Sequence, residues 1–154
     1  MKLDKVFIIV VFSIFLSSCY SVYQVKSNLY NYSDSITFSI NKVEEGQVIS
    51  TGSGSYHASR GYKFVFIYMT FENLIEEKQE LNFDNIELLN PKDKTKYKVE
   101  WSMVTGPINI WGKVDSYIRK GDKKTRKLVF TFPKEEKAKY LKVNSNLVEI
   151  DYSK

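Results

Sequence analysis

The chain has 154 residues, enough for one domain, with a single Cys, a single His and a formal net charge of +5. This composition excludes a disulfide framework and a zinc site built from Cys and His. The 23 Lys and Arg residues are interspersed with 18 Asp and Glu residues, so the chain lacks the basic stripe of a nucleic-acid-binding protein. No phosphate-binding or dinucleotide motif occurs. We therefore expect no cofactor, no metal and no nucleic-acid partner.

The first residues have the pattern of a bacterial lipoprotein signal peptide. Lys2 and Lys5 precede an apolar run over residues 6–16. This run has the length of a signal-peptide core and is short for a membrane span. The run ends in Leu16-Ser17-Ser18-Cys19, which resembles the lipobox that directs lipidation of its Cys. We predict a signal peptide over residues 1–18 and a lipid on Cys19 that anchors the chain to a membrane outside the cytoplasm.

The stretch after the predicted lipid site is polar. Residues 20–35 are rich in Ser and Asn, are dotted with Tyr and contain no Gly or Pro. We interpret residues 19–35 as the lipidated Cys followed by a tether between the membrane and the domain. Tyr20, rather than Asp, follows the Cys, and resemblance to known lipoproteins then implies the outer membrane if the host envelope has one.

Residues 61–73 carry the clearest strand pattern in the chain. One side of the predicted strand is formed by four apolar residues in alternation, Val65, Ile67, Met69 and Phe71. In the first half of the segment the other side is apolar as well, at Phe64 and Phe66. This pattern predicts a central strand with one face in a core and part of the other face covered.

Shorter strand patterns surround this central segment. Residues 36–43, 86–89, 127–132, 140–143 and 147–152 read as strands between turn signals, and residues 94–101 alternate with Trp101 directed inward. Residues 103–113 are irregular, and residues 50–61, with three Gly and four Ser, predict a loop unless a strand near residues 48–51 begins it. Seven to eight short strands without a long helix predict an all-β fold, a β-sandwich over residues 36–152 as a single domain.

The order of these segments resembles a known family. The residues that carry the resemblance are Ile36-Thr37-Phe38, Val43-Glu44-Glu45, Gly61 to Asn73, Ile86-Glu87-Leu88, Lys96-Tyr97, Lys120-Gly121, Leu128-Val129-Phe130 and Phe132-Pro133. In this order they are similar to the bacterial immunoglobulin-like, telokin-like domains called domain-of-unknown-function family 4352. The resemblance implies a secreted or lipid-anchored, immunoglobulin-like β-sandwich of seven to eight strands with no catalytic residues.

The predicted loop before the central strand is the first candidate for a binding site. Tyr56, His57 and Arg60 lie there among Gly and Ser, a mixture that protein-binding loops use. Trp111, next to Gly112 in the irregular segment, is the second candidate. We therefore expect a non-catalytic envelope protein that presents its sandwich to a protein or polymer partner.

Two other functions remain open on the sequence. One is an inhibitor or accessory subunit of an envelope enzyme, with a loop that enters a foreign active site. The other is a hydrolase that uses His57 or one of the acidic clusters, which include Glu44-Glu45. The chain has no nucleophile elbow beside its one His, and solvated charge is the usual meaning of acidic clusters in turns, so we expect no enzyme.

Overall fold

The computed structural model of the protein describes residues 20–51, 54–75, 77–105 and 116–153. The regular structure of these residues consists of strands and one 3-10 turn at Phe83–Asn85. The strands are β1 (Tyr20–Val25), β2 (Leu29–Asn31), β3 (Ile36–Gly46), β4 (Val48–Thr51), β5 (Gly54–His57), β6 (Tyr62–Asn73), β7 (Gln79–Glu80), β8 (Ile86–Leu89), β9 (Lys96–Lys98), β10 (Trp101–Val104), β11 (Tyr117–Ile118), β12 (Lys123–Pro133), β13 (Tyr140–Val143), β14 (Asn146–Glu149) and β15 (Tyr152–Ser153). Within the same ranges, no helix is long and apolar enough to cross a membrane.

Two antiparallel sheets enclose the main core. The larger sheet has seven strands in the order β10-β12-β6-β3-β1-β15, with β2 also paired to β3, and the smaller has the order β14-β13-β8-β9. The predicted all-β sandwich is confirmed. The count of seven to eight strands is too low, because the described residues alone form fifteen. Several of the additional strands have only two to four residues, too few for an alternation to be recognised in a sequence.

Strand β6 is the centre of the larger sheet, as its sequence predicts. It pairs with β3 on one side and with β12 on the other. The four alternating residues of β6 are fully buried in the main core, where they meet apolar residues of the smaller sheet such as Leu88 and Leu141. Phe64 and Phe66 are buried too, but they belong to a second apolar cluster on the opposite face of the larger sheet, called here the outer face.

A β-bulge keeps both halves of β3 in register with β6. The pairing shifts between Ile40 and Lys42, and Asn41 has no paired partner in β6. Because the side-chain period of a strand is two, the extra residue restores Val43 to the core side after Ile40. Ile40 and Val43 are both buried.

The predicted tether is instead part of the larger sheet. Residues 20–24 of β1 pair with residues 42–46 of β3, and the end of β1 also pairs with β15. Strand β2 adds a short ladder to the start of β3. The interpretation of residues 20–35 as a tether is therefore wrong. The polar sequence was misleading because β1 is held by its backbone pairing with β3 and by the partly buried side chains of Tyr20, Tyr23 and Val25, while the Val22 side chain is half-exposed.

The predicted strand over residues 94–101 divides between the two sheets. Strand β9 pairs with β8 in the smaller sheet, and β10 pairs with β12 in the larger sheet. The alternation continues across the crossover, although the backbone changes its partner there. Trp101 packs against Phe64 in the cluster on the outer face rather than in the main core.

Candidate binding surface

The predicted loop before the central strand is a β-hairpin that lies on the outer face. Strands β4 and β5 pair from Val48 and His57 to Thr51 and Gly54. Ile49 is buried against the outer face of the larger sheet. The alternative of a strand near residues 48–51 is thus correct, and the expectation of an irregular loop is wrong. The apolar residues Phe64 and Phe66 predicted that part of the second face of β6 is covered, and this hairpin provides the cover.

An aromatic cluster forms where this hairpin meets the sheet. The ring centroids of Tyr56 and Trp101 are 5.6 Å apart, and those of Phe64 and Trp101 are 6.0 Å apart. On the other side, the ring of Tyr20 lies 5.6 Å from that of Phe66, and its hydroxyl donates a hydrogen bond to the backbone oxygen of Val48. Tyr56 is nevertheless 53% exposed. The hairpin thus holds an exposed aromatic ring against the partly buried Trp101, which itself packs on the buried Phe64.

A charged cluster continues the outer face beyond the hairpin. The carboxylate of Glu44 accepts a hydrogen bond from the Tyr68 hydroxyl at 2.7 Å and lies 2.8 Å from Lys42 Nζ. Lys127 Nζ is 3.7 Å from the same carboxylate and 4.2 Å from the centroid of the Phe66 ring. The ammonium of Lys127 therefore lies between an anion and an aromatic face, both of which stabilise a cation.

Burial and mutual contacts set the protonation of this cluster. Burial of the Glu44 carboxyl acts to raise its pKa, but the hydrogen bonds from Lys42 and Tyr68, together with the charge of Lys127, leave its pKa below the usual value. Burial raises the pKa of the Tyr68 phenol, and its hydrogen bond to Glu44 raises it further. Burial lowers the pKa of Lys127, which the charge of Glu44 offsets only in part. Glu44 is thus an anion and Tyr68 a neutral donor at neutral pH.

The adjacent carboxylates Glu44 and Glu45 point to opposite sides of β3. Glu44 bonds to Tyr68 on the outer face. Glu45 makes an ion pair of 2.9 Å with Lys63, which lies on the other side of β6 from Phe64. This arrangement follows from the alternation of side chains along a strand. The two carboxylates do not converge on one substrate-sized space, as a general acid and base would have to.

The structure separates the three candidate residues of the predicted loop. Tyr56 is opposite the buried Ile49 in the hairpin register, whereas His57 is opposite Val48 and is directed to the other face of the hairpin. Arg60 lies beyond the hairpin, in the turn that leads into β6. All three side chains are exposed, but they do not form one patch.

Two other predicted sites, Cys19 and Trp111, lie outside the described residues.

Three residues of the candidate binding surface were not identified from the sequence. They are Trp101, Lys42 and Lys127. A signal for Lys127 was present, because it shares the outer side of its strand with the buried Val129. Trp101 was assigned to the main core because its alternation was taken to stay in one sheet.

The fold resembles that of two solved bacterial proteins. A conserved hypothetical protein from Bacillus anthracis is 16% identical and superposes with a TM-score of 0.65 over 87% of this chain and 98% of its own. An uncharacterized β-sandwich protein from Clostridium difficile is 18% identical, with a TM-score of 0.51 over 74% of this chain and 80% of its own. No family model matches the chain, and no curated protein matches it. The likeness shows the β-sandwich fold alone, and the resemblance to family 4352 stays a prediction.

Proposed function

We propose that the chain is a non-catalytic, lipid-anchored protein of the bacterial cell envelope that presents the outer face of its larger sheet to a protein or polymer partner. The observation that supports this most is the exposed ring of Tyr56, which is supported by Trp101 and by a hairpin whose Ile49 is buried. Tyr and Trp give a large contact area and lose little conformational entropy when they bind. A ring that is already fixed loses less still.

The surroundings of Tyr56 add to the proposal. Lys42, Glu44 and Lys127 continue the same face with charges that are already oriented by one another. A partner would meet an aromatic centre beside a charged margin, which is the usual composition of a protein interface. The split of Glu44 and Glu45 between two sides of a strand supports a role without catalysis.

The hairpin supplies its own matched control for the binding site. In Tyr56→Ala the exposed ring is lost, whereas in His57→Ala a neighbouring exposed side chain is lost from the other face of the same hairpin. We expect crosslinking on intact cells to recover a partner with the wild type and with His57→Ala. Recovery should fall about 30-fold with Tyr56→Ala, the change expected for an interface residue that contributes about 2 kcal/mol. His57→Ala should unfold at the wild-type denaturant concentration, and Tyr56→Ala should unfold cooperatively at a slightly lower one, because its ring packs against Trp101.

The result decides between the candidate partners as well. Undiminished recovery with Tyr56→Ala would reject the outer face as the site. Mass spectrometry of the crosslinked product distinguishes a polypeptide from an envelope polymer. Recovery of an envelope enzyme whose turnover falls when the protein is added would favour the second candidate, an inhibitor or accessory subunit.

The anchor has a separate test. We expect the protein purified from membranes to begin at Cys19 and to carry acyl chains there, because its Leu-Ser-Ser-Cys sequence follows an apolar run of signal length. Intact-mass measurement and sequencing of the N-terminal peptide would detect both. A mature chain that begins at Met1 or Tyr20 without lipid would refute the anchor.

A further inference from the structure

One end of the sandwich is defined by the start of β1. Tyr20 pairs with Gly46 at the end of β3, and Gly46 pairs with Phe64 near the start of β6. Next to this row, Tyr62 pairs with Pro133 at the end of β12. Tyr20, the residue bonded to Cys19, therefore lies at this end of the larger sheet, which we call the anchor end.

The anchor end is closed by turns that hydrogen-bond to one another. The Ala58 amide donates to the Gln47 carbonyl at 2.9 Å, and the Tyr62 amide donates to the Ser59 carbonyl at 2.9 Å. The Lys134 amide donates to the Gly61 carbonyl, also at 2.9 Å. The last of these bonds joins the connection before β6 to the segment that follows β12.

We propose that the anchor end lies flat against the lipid bilayer in the membrane-bound protein, with Arg60 and Lys134 facing its anionic headgroups. This inference rests on the proposed lipid at Cys19. Tyr20 follows Cys19 directly and is already bonded into the sheet, so no spacer separates the lipid from the folded domain. Neighbouring Cα atoms are about 3.8 Å apart, and the headgroup layer is about 5–8 Å thick on each side of the hydrocarbon core. The start of β1 is therefore held at the depth of the headgroups or directly above them.

The residues of the anchor end suit a membrane surface. Arg60 and Lys134 are exposed, and Tyr62 is partly exposed beside them. Basic residues attract anionic lipids, and Tyr favours the interface between water and hydrocarbon. Of the acidic groups nearby, Glu45 is paired with Lys63 and Glu136 with Lys92. Among the described acidic residues of this end, Glu135 is the one that is exposed and makes no ion pair.

The opposite end of the sandwich has similar side chains, so attachment rather than composition selects the anchor end. Arg119 and Lys120 lie there in the turn before β12, where the Gly121 amide donates to the Asn73 carbonyl. Leu74, which follows β6, is exposed at the same end. Strand β3 runs from one end to the other, and its 11 residues span about 35 Å at about 3.4 Å each. That distance separates the far end from the membrane.

Two exposed serines allow a matched test of this orientation. Ser59 is in the closing turns of the anchor end, and Ser145 is at the far end, between β13 and β14. Each is replaced by Cys in the full lipidated protein and labelled with a fluorophore, since the thiol of Cys19 is consumed by its lipid. The proteins are then reconstituted into vesicles of neutral and anionic phospholipids that carry a quencher on their headgroups. We expect strong quenching of the label at Ser59 and little quenching at Ser145.

The basic contact has its own variant. In Arg60→Glu combined with Lys134→Glu, quenching at Ser59 should fall on anionic vesicles, and the fall should be smaller on neutral vesicles. Equal quenching of the two labels, with lipid present on Cys19 by mass spectrometry, would overturn the orientation and leave the proposed function intact. A chain without lipid on Cys19 would overturn both. Quenching at Ser59 that is unchanged in the double variant would overturn the role of Arg60 and Lys134.

Discussion

Placing a carboxylate at Ile67 is the most direct test of the fold. Ile67 is in the middle of β6, and its side chain is 0% exposed. In the sheet register it lies between Val43 of β3 and Leu128 of β12, both of which are fully buried. An Asp at this position would have its carboxylate in the apolar layer between the two sheets.

The structure sets the expected magnitude for Ile67→Asp. Loss of the buried Ile side chain costs about 1.5–3 kcal/mol. Burial of an unpaired carboxylate adds several kcal/mol to the cost. A domain of this size is stable by only about 5–15 kcal/mol, so we expect the variant to be largely unfolded without denaturant. The milder Ile67→Ala should remain folded and lose about 2–5 kcal/mol.

Thr70→Asp is the matched control on the same strand. Thr70 lies three residues further on, on the outer face, and its side chain is partly exposed. Its hydroxyl oxygen is 2.7 Å from Asn41 Nδ2 and 2.7 Å from the hydroxyl of Thr125, and both of these groups can donate to a carboxylate. We expect a cost below about 1 kcal/mol, as for most surface substitutions.

Urea unfolding followed by circular dichroism measures both variants. The expected result is a missing cooperative transition for Ile67→Asp and a transition near that of the wild type for Thr70→Asp. Equal unfolding midpoints for the two variants would show that the assignment of faces to β6, or the fold itself, is wrong.

Three further predictions concern the outer face. Gly46→Ala should lower the free energy of unfolding by about 1–3 kcal/mol, because the new Cβ would lie 2.7 Å from a ring carbon of Tyr20; an unchanged urea midpoint would contradict this packing. Ile49→Ala should raise the hydrogen-exchange rates of hairpin amides more than those of β6, since it opens the second cluster alone; equal increases would show that the two cores unfold as one. The depressed pKa of Glu44 implies a stabilisation that is present above the usual Glu range and is lost as pH falls through the folded-state pKa. The difference in urea midpoint between wild type and Glu44→Gln should therefore shrink on acidification, and a constant difference would refute the argument.

The sequence alone determined the strand at the centre of the protein. The alternation of Val65, Ile67, Met69 and Phe71 defines a core face whatever the neighbouring strands are. The apolar residues Phe64 and Phe66 on the other side also required a cover. Both conclusions concern which side chains of one strand are buried. Because the hydrophobic effect favours apolar residues at buried positions, this information is present in the local sequence.

Only the tertiary structure decided which segments provide the neighbours. The cover over Phe66 is a Gly- and Ser-rich hairpin whose sequence has the composition of a loop. It is stable as a hairpin because Ile49 has an apolar surface to pack on. The aromatic part of the candidate site could not be predicted for the same reason. Tyr56 and Trp101 are 45 residues apart in the sequence and meet only when the hairpin is folded onto the sheet.

Strand β1 and the segment from β9 to β10 show what a local sequence pattern does not predict. Residues 20–25 carry little apolar alternation, yet they form a strand because β3 offers them a row of unpaired backbone groups. Residues 96–103 alternate without a break, yet the backbone leaves the smaller sheet after Lys98 and enters the larger one at Trp101. Alternation reports which side of a strand is buried. It carries no record of the partner strand, because backbone hydrogen bonds between strands are made by groups that every residue except proline shares.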